Sequence, residues 1–471
     1  MEKNLTFAID RYVDDHREEI IADLDRLVRI PSVSKPGSAE PEPFGPDCAC
    51  VLEEAIALAQ EKGMNAKNFG NWYGLATRGA GAHSVGIFSH LDVVEVGDDW
   101  TFPPFQVTEK DGWVFGRGVA DDKIAAILGI YTAKALDELD LARGLKLVLY
   151  LGVSEEKGMT DIDRYLQEHE QPEFNLVPDY KFPGSIGETG ILKFKLKTSR
   201  HFNQLSAFHG GEPGKRLPLE SVAVYSGPES GRLLTLAEGQ ENITAIQDEN
   251  NAVRVTAKGR PETSWNTRDS INALEVLTAF LRDSDVLSVE DRALMDVLAD
   301  MTGSAQGECF GIDRESALFG NTKCTCLIAE EAEEGLLLSF DVRYPFEITG
   351  EEIQNSVAAY AESNGFELID VNDTAPWLLD QADPRLDILC RCWNEVSGRE
   401  DKLGVGGGTY ARKLKNAVSY GPKDLKKCPF LPAGRGEIHC PDEARSVESI
   451  LNAVKVYIRA FVELDAYYQE K

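Results

Sequence analysis

Residues 89–94 read Ser-His-Leu-Asp-Val-Val and close an apolar run, Ser84-Val85-Gly86-Ile87-Phe88. Such a run reads as a buried strand, and side-chain alternation sends His90 and Asp92 to the same side of its exit. A neutral imidazole is a preferred zinc ligand, and a neighbouring carboxylate can accept its other ring N–H and fix the tautomer. A histidine at a strand end is by itself more often structural, so the pair needs support from elsewhere in the chain.

That support comes from four further junctions. Residues 116–123, Gly-Arg-Gly-Val-Ala-Asp-Asp-Lys, precede a helical run at 124–136. They set Asp121 and Asp122 at a helix N-terminus, where backbone N–H groups favour negative charge. Simple capping would need only one of the two. The apolar run 145–151 leads to Ser154-Glu155-Glu156. Adjacent carboxylates at a strand end face opposite ways, so one can bind a metal while its neighbour acts as a base, the alternative being a solvated turn. Segment 174–177 delivers Pro178-Asp179, and His439 lies in the Gly-rich stretch before a helix at 447–464. His90, Asp121, Glu156, Asp179 and His439 form an all-nitrogen-and-oxygen donor set suited to two Zn2+ ions sharing one carboxylate.

The elements that must position these groups are of ordinary globular type. A chain of 471 residues with 42% hydrophobic content is long enough for two domains. Helical spacing predicts a helix over 5–30, ended by Pro31, and another over 50–61 after a Pro-rich loop. No apolar run approaches a membrane span and residues 1–6 do not open a signal peptide, so a cytoplasmic protein without a membrane partner is expected. Forty-nine basic against 79 acidic residues give a net charge of −30, which argues against nucleic-acid binding. The nine cysteines include three Cys-x-Cys pairs and no Cys-x-x-Cys, and are expected to be reduced.

Taken as a set, residues 89–94, 116–123, 154–156, 177–179, 406–412 (Gly-Gly-Gly-Thr-Tyr-Ala-Arg) and His439 resemble the di-zinc exopeptidases. These include carboxypeptidase G, succinyl-diaminopimelate desuccinylase, aminoacylase and the PepV-type dipeptidases, the last being closest in length and layout. The resemblance implies an α/β fold: a catalytic domain with a central mixed sheet flanked by helices, formed by residues 1–186 and 379–471, and an inserted α+β lid at 187–378. It implies His90 and Asp179 on one zinc, Glu156 and His439 on the other, Asp121 bridging, and a cis peptide at Asp121–Asp122. Asp92 would orient His90 and Glu155 would be the general base. Mn2+ or Co2+ could replace zinc. The substrate would be a small peptide, and the chain a monomer or a lid-mediated dimer.

Between about 187 and 377 the pattern shifts to strands at 253–258, 323–329 and 336–344 and helices at 270–281 and 351–361, which fits a two-layer α+β module. Arg343 and the loop carrying Gly407, Gly408 and Thr409 resemble the groups that grip a substrate carboxylate. The lid also departs from the family pattern. Thr263 stands where these enzymes carry an oxyanion-stabilising His, and Lys215 where PepV-type enzymes tend to have Asn. Lys215, Arg343 or His209 could take over the oxyanion role. Two other readings therefore stand beside a dipeptidase: an amidohydrolase of N-acyl amino acids, and a metal-binding relative weakened in catalysis.

Overall fold

A computed structural model of the chain describes residues 2–211, 217–260, 270–332, 335–423, 427–432 and 434–471. It divides into two units, Met1–Glu188 with Leu378–Lys471, and Thr189–Trp377.

The first unit is built on a six-stranded sheet in the order Asn65–Phe69, Tyr73–Arg78, Leu145–Gly152, His83–His90, Phe174–Val177, Ala417–Ser419. The first two pairings are antiparallel and the other three parallel, so the sheet is mixed. The central strands read as near-continuous apolar runs because they are covered on both faces. Leu147, Leu149, Leu151, Val85 and Ile87 are fully buried there, in one core with Ile127 and Ile130 of helix Lys123–Glu138 and Val454 and Phe461 of helix Val447–Gln469. His90 pairs in register with Gly152. Strands His83–His90, Leu145–Gly152 and Phe174–Val177 therefore all end at one edge of the sheet, the edge where open α/β sheets place their ligands. A three-stranded sheet, Thr108–Lys110, Trp113–Phe115 and Ala444–Ser446, ties the chain just after His439 to the loop preceding Asp121.

The helix expected over 5–30 is two helices, Glu2–Asp15 and Arg17–Val28. The break falls at His16, whose ring Nδ1 lies 2.7 Å from the Tyr12 carbonyl oxygen and whose φ, −99°, leaves the helical range. Helix Pro46–Glu61 starts earlier than expected, with Pro46 at its first position, where the missing N–H costs nothing. Among the described residues none of the nine cysteines forms a disulfide. Among the described residues no helix is long and apolar enough to cross a membrane.

The second unit is an eight-stranded antiparallel sheet ordered Ile243–Gln247, Val253–Lys258, Glu220–Tyr225, Leu205–Gly210, Lys323–Ala332, Gly335–Tyr344, Gly190–Thr198, Glu367–Thr374. Helices Ala273–Asp283, Val289–Gly303 and Gly350–Ser363 pack into a separate core with it. This is an α+β unit with more strands than the sequence reading assigned to it. Lys215 and Thr263 lie outside the described residues.

Candidate metal centre

Strand His83–His90 delivers a buried imidazole. His90 Nε2 lies 3.3 Å from Asp121 Oδ1 and 3.9 Å from Asp179 Oδ1. Its Nδ1 is 3.0 Å from the main-chain oxygen of Asp92 and 3.4 Å from that residue's carboxylate. The stronger contact of the ring is thus with the Asp92 carbonyl. A proton held on Nδ1 leaves Nε2 as the free donor atom facing the two carboxylates. The Asp92 carboxylate accepts the backbone N–H of Glu155 at 3.1 Å and of Glu156 at 3.0 Å.

The next two amides upstream are held in the same way. Asp161 Oδ2 accepts the N–H of Val153 at 2.7 Å and of Ser154 at 3.0 Å, together with the Tyr410 hydroxyl at 2.6 Å. Four successive N–H groups beyond the Leu145–Gly152 strand are therefore satisfied by two buried carboxylates, which makes the Ser154–Glu155–Glu156 turn a fixed platform. Glu155 is buried and its Oε1 has no hydrogen-bond partner among the described residues. Burial, reinforced by the charge of Asp179, pushes its carboxyl well above the usual range.

Glu443 assembles the Asp121 side. Its Oε1 accepts the N–H groups of Gly118, Ala120 and Asp121 at 3.1, 2.9 and 3.0 Å, and its Oε2 pairs with Arg117 Nη1 at 2.6 Å. Asp442 accepts the N–H of Thr101 and of Phe102. The stretch carrying His439 is so clamped to the stretch carrying Asp121. The Asp121–Asp122 peptide is cis. Asp122 occupies the N-cap position of helix Lys123–Glu138 but makes no capping bond, and neither of its buried oxygens has a partner among the described residues. Capping thus does not account for the acidic pair.

His439 Nε2 lies 3.2 Å from Asp121 Oδ2 and 2.6 Å from Glu156 Oε1. Two groups result, His90–Asp121–Asp179 and Asp121–Glu156–His439, each with its ligand atoms within 4.8 Å of one another and with Asp121 common to both. The donor set fits a pair of divalent cations: nitrogen and carboxylate oxygen only, with a buried His90 Nε2 that has no hydrogen-bond partner among the described residues. Burial opposes protonation of His439, yet the Asp121 and Glu156 carboxylates raise it to about 9. A lysine absent from the sequence reading enters the same cluster. Lys423 Nζ is 2.8 Å from Asp121 Oδ1 and also contacts Asp179 Oδ1.

The residues expected to grip substrate are placed separately. Gly407 and Gly408 are exposed, with Gly407 at φ 108°. Thr409 is buried, and Glu188 Oε1 accepts its N–H at 3.1 Å and its hydroxyl at 3.0 Å. Glu188 also pairs with Arg412 at 2.8 Å, so a carboxylate that sequence reasoning passed over anchors the glycine loop. Arg343 belongs to the second unit, where Asp341 two residues away accepts from its Nε at 2.7 Å and its Nη2 at 3.1 Å. His209 is an exposed residue of strand Leu205–Gly210. Asn272 caps helix Ala273–Asp283 and donates to the Cys326 carbonyl, a structural task.

"Putative dipeptidase YtjP" of Bacillus subtilis (strain 168) is 26% identical over 461 residues, covering 95% of this chain and 97% of the relative. "Putative dipeptidase SSP1012" of Staphylococcus saprophyticus is 24% identical, covering 96% and 98%. Among solved structures, human carnosine dipeptidase 1 shares the fold with a TM-score of 0.59 at 15% identity, over 98% of this chain and 99% of that one. The dipeptidase Dug1p of Saccharomyces cerevisiae does so with a TM-score of 0.57 at 14% identity, over 97% and 98%. Residues 86–463, most of the polypeptide, match Peptidase family M20/M25/M40. The chain belongs to that family and is a hydrolase of peptide bonds.

Proposed function

We propose that the protein is a zinc-dependent dipeptidase in which His90 and Asp179 hold one ion, Glu156 and His439 the other, and Asp121 both. The observation that carries this reading is the sharing of Asp121: its Oδ1 faces His90 and its Oδ2 faces His439. When bound, such a pair supplies a water acidified to near neutral pH and a polarised scissile carbonyl. Glu155, whose buried Oε1 has no hydrogen-bond partner among the described residues, would take a proton from the attacking water and return it to the leaving amine. Asp92 acts at one remove, fixing the Glu155 and Glu156 backbone while its main chain holds the His90 ring. The exposed amides of Gly407 and Gly408 are suited to a substrate carboxylate.

Dipeptide cleavage is favoured over deacylation by the relatives of near-equal length that carry the dipeptidase name. The test is a panel of dipeptides against N-acyl amino acids with enzyme loaded in turn with Zn2+, Mn2+ and Co2+, its metal content measured by plasma mass spectrometry. Hydrolysis of dipeptides with inert N-acyl compounds is expected. The opposite preference would make it a deacylase, and no turnover at full metal content would make it the weakened relative.

A further inference from the structure

The two halves of the cluster are not equivalent. Glu156 and His439 lie 2.6 Å apart in one half. In the other, the Lys423 ammonium lies against Asp121 Oδ1 at 2.8 Å and against Asp179 Oδ1, two of the three ligands grouped with His90. Lys423 is brought there by its backbone. Strand Ala417–Ser419 runs parallel to Phe174–Val177, so the chain leaving it travels beside the chain carrying Asp179. Lys423 N then donates to the Tyr180 carbonyl at 3.0 Å, one residue beyond Asp179, and Pro422 bridges Lys181. The Ser449 hydroxyl donates to the Pro422 carbonyl at 3.2 Å. A side chain anchored so close, with an ammonium that donates but cannot accept, is fitted to carboxylate oxygens and not to a metal ion.

We propose that Lys423 is a tethered counter-cation of the His90–Asp121–Asp179 half, competing with a divalent ion for the Asp121 and Asp179 oxygens. This rests on the two-metal reading above. An ammonium and a dication cannot share those oxygens at such distances without strong repulsion. The Asp121–Glu156–His439 half therefore fills first, and the second ion binds only when the Lys423 side chain swings away. The same lysine offsets part of the charge of the two carboxylates when metal is scarce, which favours the folded protein. Half-loaded enzyme is then a stable species, and free metal concentration governs the transition to the full pair.

The experiment is equilibrium dialysis of the full chain against zinc buffered at graded free concentrations, with bound zinc per chain read by plasma mass spectrometry. Wild type is expected to bind its two ions in separate steps, the second needing about 100-fold more free zinc. Lys423→Met should tighten the second step by about tenfold or more and leave the first in place, whereas Lys423→Arg should keep the steps apart. In chelator, Lys423→Met should melt below wild type, and saturating zinc should remove the difference. The wild-type titration is a test without any variant: a single step with two ions overturns the proposal and leaves the metallopeptidase reading intact. A second step unmoved in Lys423→Met does the same. Absence of bound zinc in wild type and variants alike overturns both.

Discussion

The Glu155 carboxyl is buried with one oxygen lacking a hydrogen-bond partner among the described residues, a costly arrangement unless that oxygen has work to do on a ligand. Glu155→Gln keeps the shape and the backbone bonds to Asp92 but cannot take a proton. It should lower kcat by about 10²–10⁴ while bound metal stays at the wild-type ratio; lost metal instead would make Glu155 a ligand or a structural prop. Asp161 differs, since its oxygens are used and its effect is on stability. Burial, aided by the charge of Asp92, raises it from 3.8 to about 6 against the bonds from Tyr410 and the Val153 amide. A carboxyl whose folded value exceeds its unfolded value contributes stability below the unfolded value and loses it as pH rises through the folded one. Asp161→Asn keeps an oxygen for the amides and has no charge to bury. Its stability relative to wild type, from urea unfolding at pH 4.5 to 7, should improve across that window by about 2 kcal/mol. A flat difference would show that the ionised form is fully accommodated. The ligand-type residues were legible in the sequence because metal chemistry restricts donor atoms and the candidates sat at element junctions. Asp161, Glu188 and Glu443 were not, because carboxylates that serve backbone amides look like any others among 79 acidic residues.

Two of the loops that build the centre, 118–121 and 153–156, are fixed by carboxylates accepting main-chain N–H groups. Glu443 is the most heavily used, with three amides and the Arg117 guanidinium, both side chains almost wholly buried. Glu443→Ala would strand a buried charge and release the Gly118–Asp121 amides, costing about 3–5 kcal/mol. Because it also frees Asp121 relative to His439, zinc affinity should fall with it. Urea unfolding in chelator reads the first effect and a competing chromophoric chelator the second. Stability lost with affinity unchanged would show that the loops hold their ligands without this clamp. The strands beneath these loops were legible: runs at 84–88, 145–151 and 174–177 all lie within the strands observed. Strand Gly190–Thr198 was missed although Leu192, Phe194 and Leu196 alternate with Lys193, Lys195 and Lys197, a period of two with one face buried. Glu367–Thr374 carries no such signal: it is mostly exposed and polar, and its place comes from pairing with Gly190–Thr198.

Each of the two units has its own core, and all five proposed ligands belong to the unit formed by Met1–Glu188 and Leu378–Lys471. A ligand that binds only the folded state stabilises what it binds by a term that grows with the logarithm of its concentration over the dissociation constant, about 2.7 kcal/mol at a hundredfold excess. Zinc should therefore act unequally along the chain. Hydrogen exchange followed by mass spectrometry, with and without saturating zinc, should show slowed exchange in peptides covering 88–92, 118–123, 153–157, 177–181 and 436–446. Peptides from strands Gly190–Thr198, Lys323–Ala332 and Gly335–Tyr344 should exchange at unchanged rates, since their amides are satisfied within their own sheet. The sequence separation makes the test severe, because five distant segments must respond together while the 189 residues between Glu188 and Leu378 do not. If protection instead spread evenly over both units, the chain would be behaving as one cooperative body whose stability zinc raises as a whole. If it fell on the first four segments and spared 436–446, His439 would not be a ligand and the pair of cations would reduce to one.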